Sequence, residues 1–211
     1  MEILVVIAII ITLAGVSYTI FSKAGATSAA TKCTAHLKQL HDYGVEFANQ
    51  NGGKLPSSGM KDSLMKGREA RNWWDALAPI ANAQNPGEIS LNEKVPHNLP
   101  PAFRCPDDAR NFENKDTAYV PASADTVSYT SWLPTTKRKA ISVASGKALY
   151  NVPWLSDGVP IDNRSVITQE DFDEIVAPAI DRHGRTIIVL YADGSIKKFD
   201  EPTFENIKAK K

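Results

Sequence analysis

His183 and the Asp193-Gly194 pair, with nine residues between His183 and Asp193, are the first residues whose types and spacing could do chemistry. They frame an apolar run at 186–192, and Asp-Gly then separates it from a second run at 195–199. That is the short hairpin signal in which a type I′ turn takes positive φ at both central residues. In that register Ala192 faces Ser195, and His183 lies beyond the paired strands, within reach of a group such as the Ser156-Asp157-Gly158 turn. Two uses follow. His183, Asp157 and Asp193 could ligate a metal ion, or His183 is a satisfied structural histidine, the commoner outcome; Ca²⁺ would prefer an all-oxygen shell.

The remaining candidates are weaker. Cys33 and Cys105 are the only cysteines, and two separated thiols match no structural zinc spacing, which wants four ligands in close pairs. His36 and His41 stand five apart and so do not share a helix face as i and i+4 would. His97, in VPHNLPP, reads as a loop residue. No HExxH, nucleophile elbow or phosphate loop is present, and Gly146-Lys147 lacks the upstream glycine, so no catalytic residue is assigned. Asp107, Asp108, Glu113 and Asp116 alternate with Arg104, Arg110 and Lys115, a mixed loop without EF-hand spacing. In NWWDALAPI, Trp73, Leu77 and Ile80 share one helical face. The Trp73-Trp74 pair either offers rings to a sugar or partner, or lets one ring fill the core while the other half-covers it.

The elements that must position these residues are uneven along the chain. Its 211 residues carry 24 Lys+Arg and 24 Asp+Glu, so there is no basic excess to grip a polyanion, and nucleic acid is excluded as a main partner. Residues 3–21 hold no charge, and at about 1.5 Å per residue they nearly span a bilayer core of about 30 Å. Glu2, at the entrance of this stretch, is an acid that wants a partner. Residues 22–50 contain no Pro, and Cys33, Leu37, Leu40, Gly44 and Phe47 make one stripe. Gly15, Gly25 and Gly44 are candidate bends or close-packing points, and the NQNGG run supplies the stop. The pattern predicts one helix of nearly fifty residues, membrane-embedded first and packed on a head afterwards. Two parts result: 1–24, the transmembrane and assembly part, and 25–211, the head with the second half of the helix. Strands are expected near 127–133, 148–155, 186–192 and 195–200, with a short helix near 169–176. The fold class is α+β, a long N-terminal helix packed on a small antiparallel sheet in a loop-rich head.

Glu2 followed by ILVVIAII and an amphipathic continuation resembles the N-terminal segment of type IV pilins and type II secretion pseudopilins. The family's leader-cleavage context would precede Glu2; here Met1 stands before it. TKCTAHLKQLHDYGVEFANQNGGKLP, NWWDALAPI, FRCPDD, VSYTSW and RHGRTIIVLYADGSIKKF occur in the same order as in the pilin-like proteins of the planctomycete and verrucomicrobial branch, marked by His, nine residues, then Asp-Gly. The resemblance implies a pilin-like fold without enzymatic activity. It implies a structural subunit of a type IV pilus-like filament or type II secretion pseudopilus, held in the inner membrane by its helix before assembly, with its head in the periplasm, and in a periplasmic or cell-surface filament afterwards. Implied partners are copies of itself, other pilin-like subunits, the inner membrane and the secretion or pilus assembly machinery. Glu2 would neutralise the N-terminal ammonium of a neighbour, setting register more surely than stability. Export would make a Cys33–Cys105 disulfide reasonable, against a pair of free buried thiols. No cofactor is implied, apart from the Ca²⁺ that major secretion pseudopilins can hold. A competing reading is a singly anchored binding protein or enzyme with a site around His183.

Overall fold

The computed structural model describes residues 2–56, 58, 72–84, 98–108, 120–121, 127–133, 152–161 and 164–209; within the first helix it describes the side chains of 3, 6, 7, 9–14 and 28–50. Helix α1 runs Glu2–Gln50 and α2 runs Trp73–Gln84. Strands β1 (Asn98–Leu99) and β2 (Val120–Pro121) form an antiparallel ribbon, with a 3₁₀ turn at Pro101–Phe103. Strands β3 (Tyr129–Ser131), β4 (Pro153–Asp157), β5 (Ile187–Tyr191) and β6 (Ile196–Phe199) make a four-stranded antiparallel sheet in the order β3-β4-β5-β6. Between β4 and β5 come one turn of helix, α3 (Gln169–Asp171), a π-helical turn at Phe172–Val176 and a 3₁₀ helix at Ala177–His183; α4 (Phe204–Ala209) follows the sheet.

The sheet is covered on both faces, which explains why β5 is apolar at every position rather than alternating. Ile188, Leu190 and Ala192 join the core shared with Cys33, Leu37, Leu40, Tyr43 and Phe47 of α1 and with Trp73, Trp74 and Leu77 of α2. Ile187, Val189 and Tyr191 face the opposite core, built from Trp132, Phe172, Ile175, Phe204 and Ile207. The predicted stripe of α1 is therefore a packing stripe. Gly44 on that stripe is where the helix meets β4: a Cβ there would lie 2.0 Å from Cη2 of Trp154, whose indole N–H is held by the Pro56 carbonyl at 3.0 Å.

The expected pilin-like form needs correction. Its α+β class and antiparallel sheet stand, but among the described residues no helix is long and apolar enough to cross a membrane. A span takes about 20 consecutive apolar residues, and the described side chains near the start of α1, at 3, 6, 7 and 9–14, are exposed. The membrane-embedded first half, the transmembrane helix and single-pass anchoring in the inner membrane with a periplasmic head are accordingly not supported.

The hairpin differs too. Gly194 donates to the Tyr191 carbonyl at 3.0 Å and Tyr191 N–H to the Ser195 carbonyl at 2.8 Å, so Tyr191, not Ala192, faces Ser195. Gly194 has φ +82° while Asp193 keeps negative φ. The result is a three-residue loop ending in a left-handed glycine. The cause is local: Oδ1 of Asp193 accepts from the backbone N–H and the hydroxyl of Ser195, which holds Asp193 out of the left-handed region a type I′ turn requires.

Candidate functional site

Five chain segments meet around His183, at the end of its 3₁₀ helix, where Gly184 takes the left-handed cap. Cys33 comes from the buried stripe of α1, and Cys105 from the Arg104-Cys105-Pro106-Asp107-Asp108 segment just after the 3₁₀ turn. The two are joined in a disulfide, with Cα atoms 5.3 Å apart. The same short segment supplies nearly every other partner. The Arg104 carbonyl accepts from Nδ1–H of His36 at 2.8 Å, which docks that segment on α1. Asp107 Oδ2 stands 2.9 Å from Nδ1 of His183. Asp108 Oδ2 accepts from the Ser128 hydroxyl at 2.7 Å and pairs with the Arg182 guanidinium at 3.0 Å. Arg182 also donates to the Ser128 carbonyl, closing the unit against β3.

The far side of the imidazole faces sulfur and a second carboxylate. His183 Nε2 lies 3.3 Å from Cys105 Sγ and 3.6 Å from Asp157 Oδ1. Asp157 ends β4, and its other oxygen accepts from the Ile188 backbone N–H at 2.9 Å, so the carboxylate is fixed by the neighbouring strand. Its Oδ1 is buried without a hydrogen-bond partner; 3.6 Å is beyond hydrogen-bond range. Burial pushes the His183 pKa down, but the carboxylates of Asp157 and Asp107 outweigh it and hold the pKa above the ordinary histidine value. Burial, then the nearby Asp157 charge, pushes the Tyr129 phenol well up, so it stays neutral.

The atoms Cys33 Sγ, Cys105 Sγ, Asp157 Oδ and His183 N all lie within 4.8 Å of one another, and all four residues are buried. Of the predicted trio His183, Asp157 and Asp193, the structure brings the first two together and puts Asp193 elsewhere. Asp193-Gly194 sits against His41 of α1: a Cβ on Gly194 would fall 2.8 Å from His41 Cε1. Burial lowers the His41 pKa, with the Asp42 and Asp193 charges opposing. The His-nine-residue-Asp-Gly motif thus meets α1 at both ends, at Cys33 through Cys105 and at His41.

Other candidates resolve differently. Trp73 and Trp74 are both in the core, at 0% and 1% exposure, with Trp73 stacked on Phe103 at 5.7 Å, so neither ring half-covers the core or faces a sugar. Glu2 opens α1, but its side chain lies outside the described residues, as do His97, Glu113, Asp116 and Gly146-Lys147. Sequence reasoning missed the Asp107–His183 and Asp108–Arg182 contacts. The one sequence signal for them is the Cys105-Pro106-Asp107-Asp108 string, whose mixed charges by themselves point to no partner.

In comparisons with known proteins, no family model, no curated protein and no solved structure matches the chain. Pilin, pseudopilin, type II secretion, type IV pilus and prepilin-type N-terminal methylation therefore stand without support as descriptions of this chain, whereas the disulfide is present.

Proposed function

We propose that this chain is a non-catalytic structural subunit that assembles with copies of itself into a filament through the N-terminal part of α1. The observation that carries the reading is the exposure of Ile3, Val6, Ile7, Ile9, Ile10, Ile11 and Leu13, between 48% and 76%. Successive helical positions are about 100° apart, so these residues cover an arc of about 200°, more than half of the helix and wider than a single packing stripe. An apolar surface that broad needs cover from more than one direction, which several copies of the same helix provide. The pilus-like assembly that the sequence resemblance implies has this arrangement, with Glu2 as the register-setting acid. Against a ligand or substrate site at His183 stands its burial: the side chain has no exposed area, so no small molecule reaches the ring.

Electron microscopy and sedimentation of the full chain over a dilution series test the reading. Filaments are expected, and Glu2→Ala is expected to shorten or abolish them while the disulfide and the near-UV signal of the buried tryptophans persist. A chain that stays monomeric at every concentration overturns the reading, and normal filaments from Glu2→Ala overturn the role of Glu2.

A further inference from the structure

We infer that the His183 cluster is a redox-exchangeable zinc site: with the Cys33–Cys105 disulfide reduced, the two thiolates, His183 Nε2 and Asp157 Oδ1 bind one Zn²⁺ in a closed tetrahedral shell. Three observations carry this independently of the filament reading. The four donor atoms already lie within 4.8 Å of one another in a fully buried cluster. The distances from His183 Nε2 to Cys105 Sγ and Asp157 Oδ1, 3.3 and 3.6 Å, match the edges of about 3.3–3.8 Å of a tetrahedron with ligand bonds of about 2.0–2.3 Å, while reduction frees the two bonded sulfurs to separate to such a distance. Asp157 Oδ1 is buried and without a hydrogen-bond partner, while its sister oxygen is fixed by Ile188 N–H, so the orphaned oxygen is aimed at the cluster. Asp107 engages Nδ1 of His183 at 2.9 Å and so turns Nε2 toward sulfur and Asp157. A carboxylate on the second nitrogen is the usual support of a metal-ligating histidine. Two thiolates and an imidazole select Zn²⁺ over Ca²⁺ or Mg²⁺, which favour oxygen.

The exchange balances. In the unfolded or transiently opened chain, a dithiol reductant attacks the disulfide by thiol–disulfide exchange, so that its two thiols become a disulfide and Cys33 and Cys105 become two thiols. Zn²⁺ then replaces both thiol protons, which leave to solvent, and His183 binds as the neutral ring with its proton on Nδ1 toward Asp107. A disulfide oxidant reverses the sequence, taking up two protons and releasing Zn²⁺. Both states bridge the same two points, 72 residues apart, so α1 stays tied to the 105 segment in oxidising and in reducing surroundings.

The test uses the full chain, refolded from the reduced, unfolded state with and without Zn²⁺ under a metal-inert phosphine reductant, with Co²⁺ as a spectroscopic probe. The expected result is one Zn²⁺ per reduced chain and none per oxidised chain, with thiolate-to-cobalt charge transfer of a tetrahedral two-thiolate site. Asp107→Asn is expected to weaken Zn²⁺ binding by about 10–100-fold, as outer-shell changes do. Cys33→Ser with Cys105→Ser is expected to abolish it. Should the reduced chain fold only with Zn²⁺, the inference is supported more strongly. A reduced chain that folds without taking up metal, that fails to fold even with metal, or whose double-serine variant binds Zn²⁺ equally well overturns it. Should Asp107→Asn fail to fold, the cobalt spectrum of the unaltered chain decides.

Discussion

At the scale of residues, Cys105 and His41 show how one side chain can govern the dock between α1 and the head. The disulfide closes a segment of 72 residues, and a chain-entropy argument makes its loss cost about 4 kcal/mol. Cys105→Ser is accordingly expected to lower the denaturant midpoint strongly, measured by tryptophan fluorescence in non-reducing buffer; an unchanged midpoint would show that the bridge adds nothing to the packing around it. His41 works through protonation. Its folded pKa is depressed by burial, so its stabilising contribution is present above the unfolded value near 6.5 and is lost as pH falls through the folded value. Relative to His41→Gln, the native chain should lose stability on acidification below about pH 6.5, and a difference that stays flat across that range would refute the assignment.

At the scale of elements, the contact between α1 and β4 rests on the absence of a side chain. Gly44→Ala raises helix propensity by about 1 kcal/mol, yet the new methyl would collide with a tryptophan pinned by its own hydrogen bond. Overpacking costs about 1–3 kcal/mol, so net destabilisation is expected in chemical unfolding, and a stabilised variant would mean that Trp154 can move aside. The turn before the π-helical segment has a different support. Thr168 and Asp171 form a reciprocal cap, and Arg164 clamps Asp171 and Glu174. Burial raises the Asp171 pKa, but Arg164 and the cap hydrogen bonds outweigh it and pull the pKa down to about 2. The cap therefore contributes fully above the ordinary carboxylate range and is lost as pH falls toward 2. Asp171→Ala should cost about 1 kcal/mol at neutral pH and progressively less below about pH 4, read by denaturant titration at each pH.

At the scale of the whole molecule, a head with two packed cores carries a helix whose described apolar side chains near its start are exposed. On the proposed reading, interior stability and surface association are divided between the two halves of one element. Replacing Ile7 and Ile10 together by Asn is expected to weaken self-association in sedimentation without moving the thermal midpoint of the head. A shifted midpoint with unchanged association would place those residues in the fold instead.

Local patterns marked part of the elements, but not the β1–β2 ribbon or the bounds of β4. A stripe at spacings of four and three marked the buried side of α1, and continuous or alternating apolar runs marked β5 and β6, because burial in a helix or strand repeats with the backbone period. The pairing of the two cysteines was only conditionally legible, as an alternative to free thiols, and packing decided it by bringing their Cα atoms to 5.3 Å. The site was legible only in part. Asp157 was named beside His183, but Asp107, Asp108 and Arg182 acquired their roles from contacts made across 76, 20 and 54 residues of chain. No periodicity encodes such contacts; they exist once the 3₁₀ turn, the sheet and α1 have packed. Asp193 is the local exception, since its own side chain selects the loop through Ser195, whereas Trp73 is buried against Phe103, which arrives from elsewhere. Sequence period sets which face of an element is apolar, and packing sets which polar groups are left to meet inside.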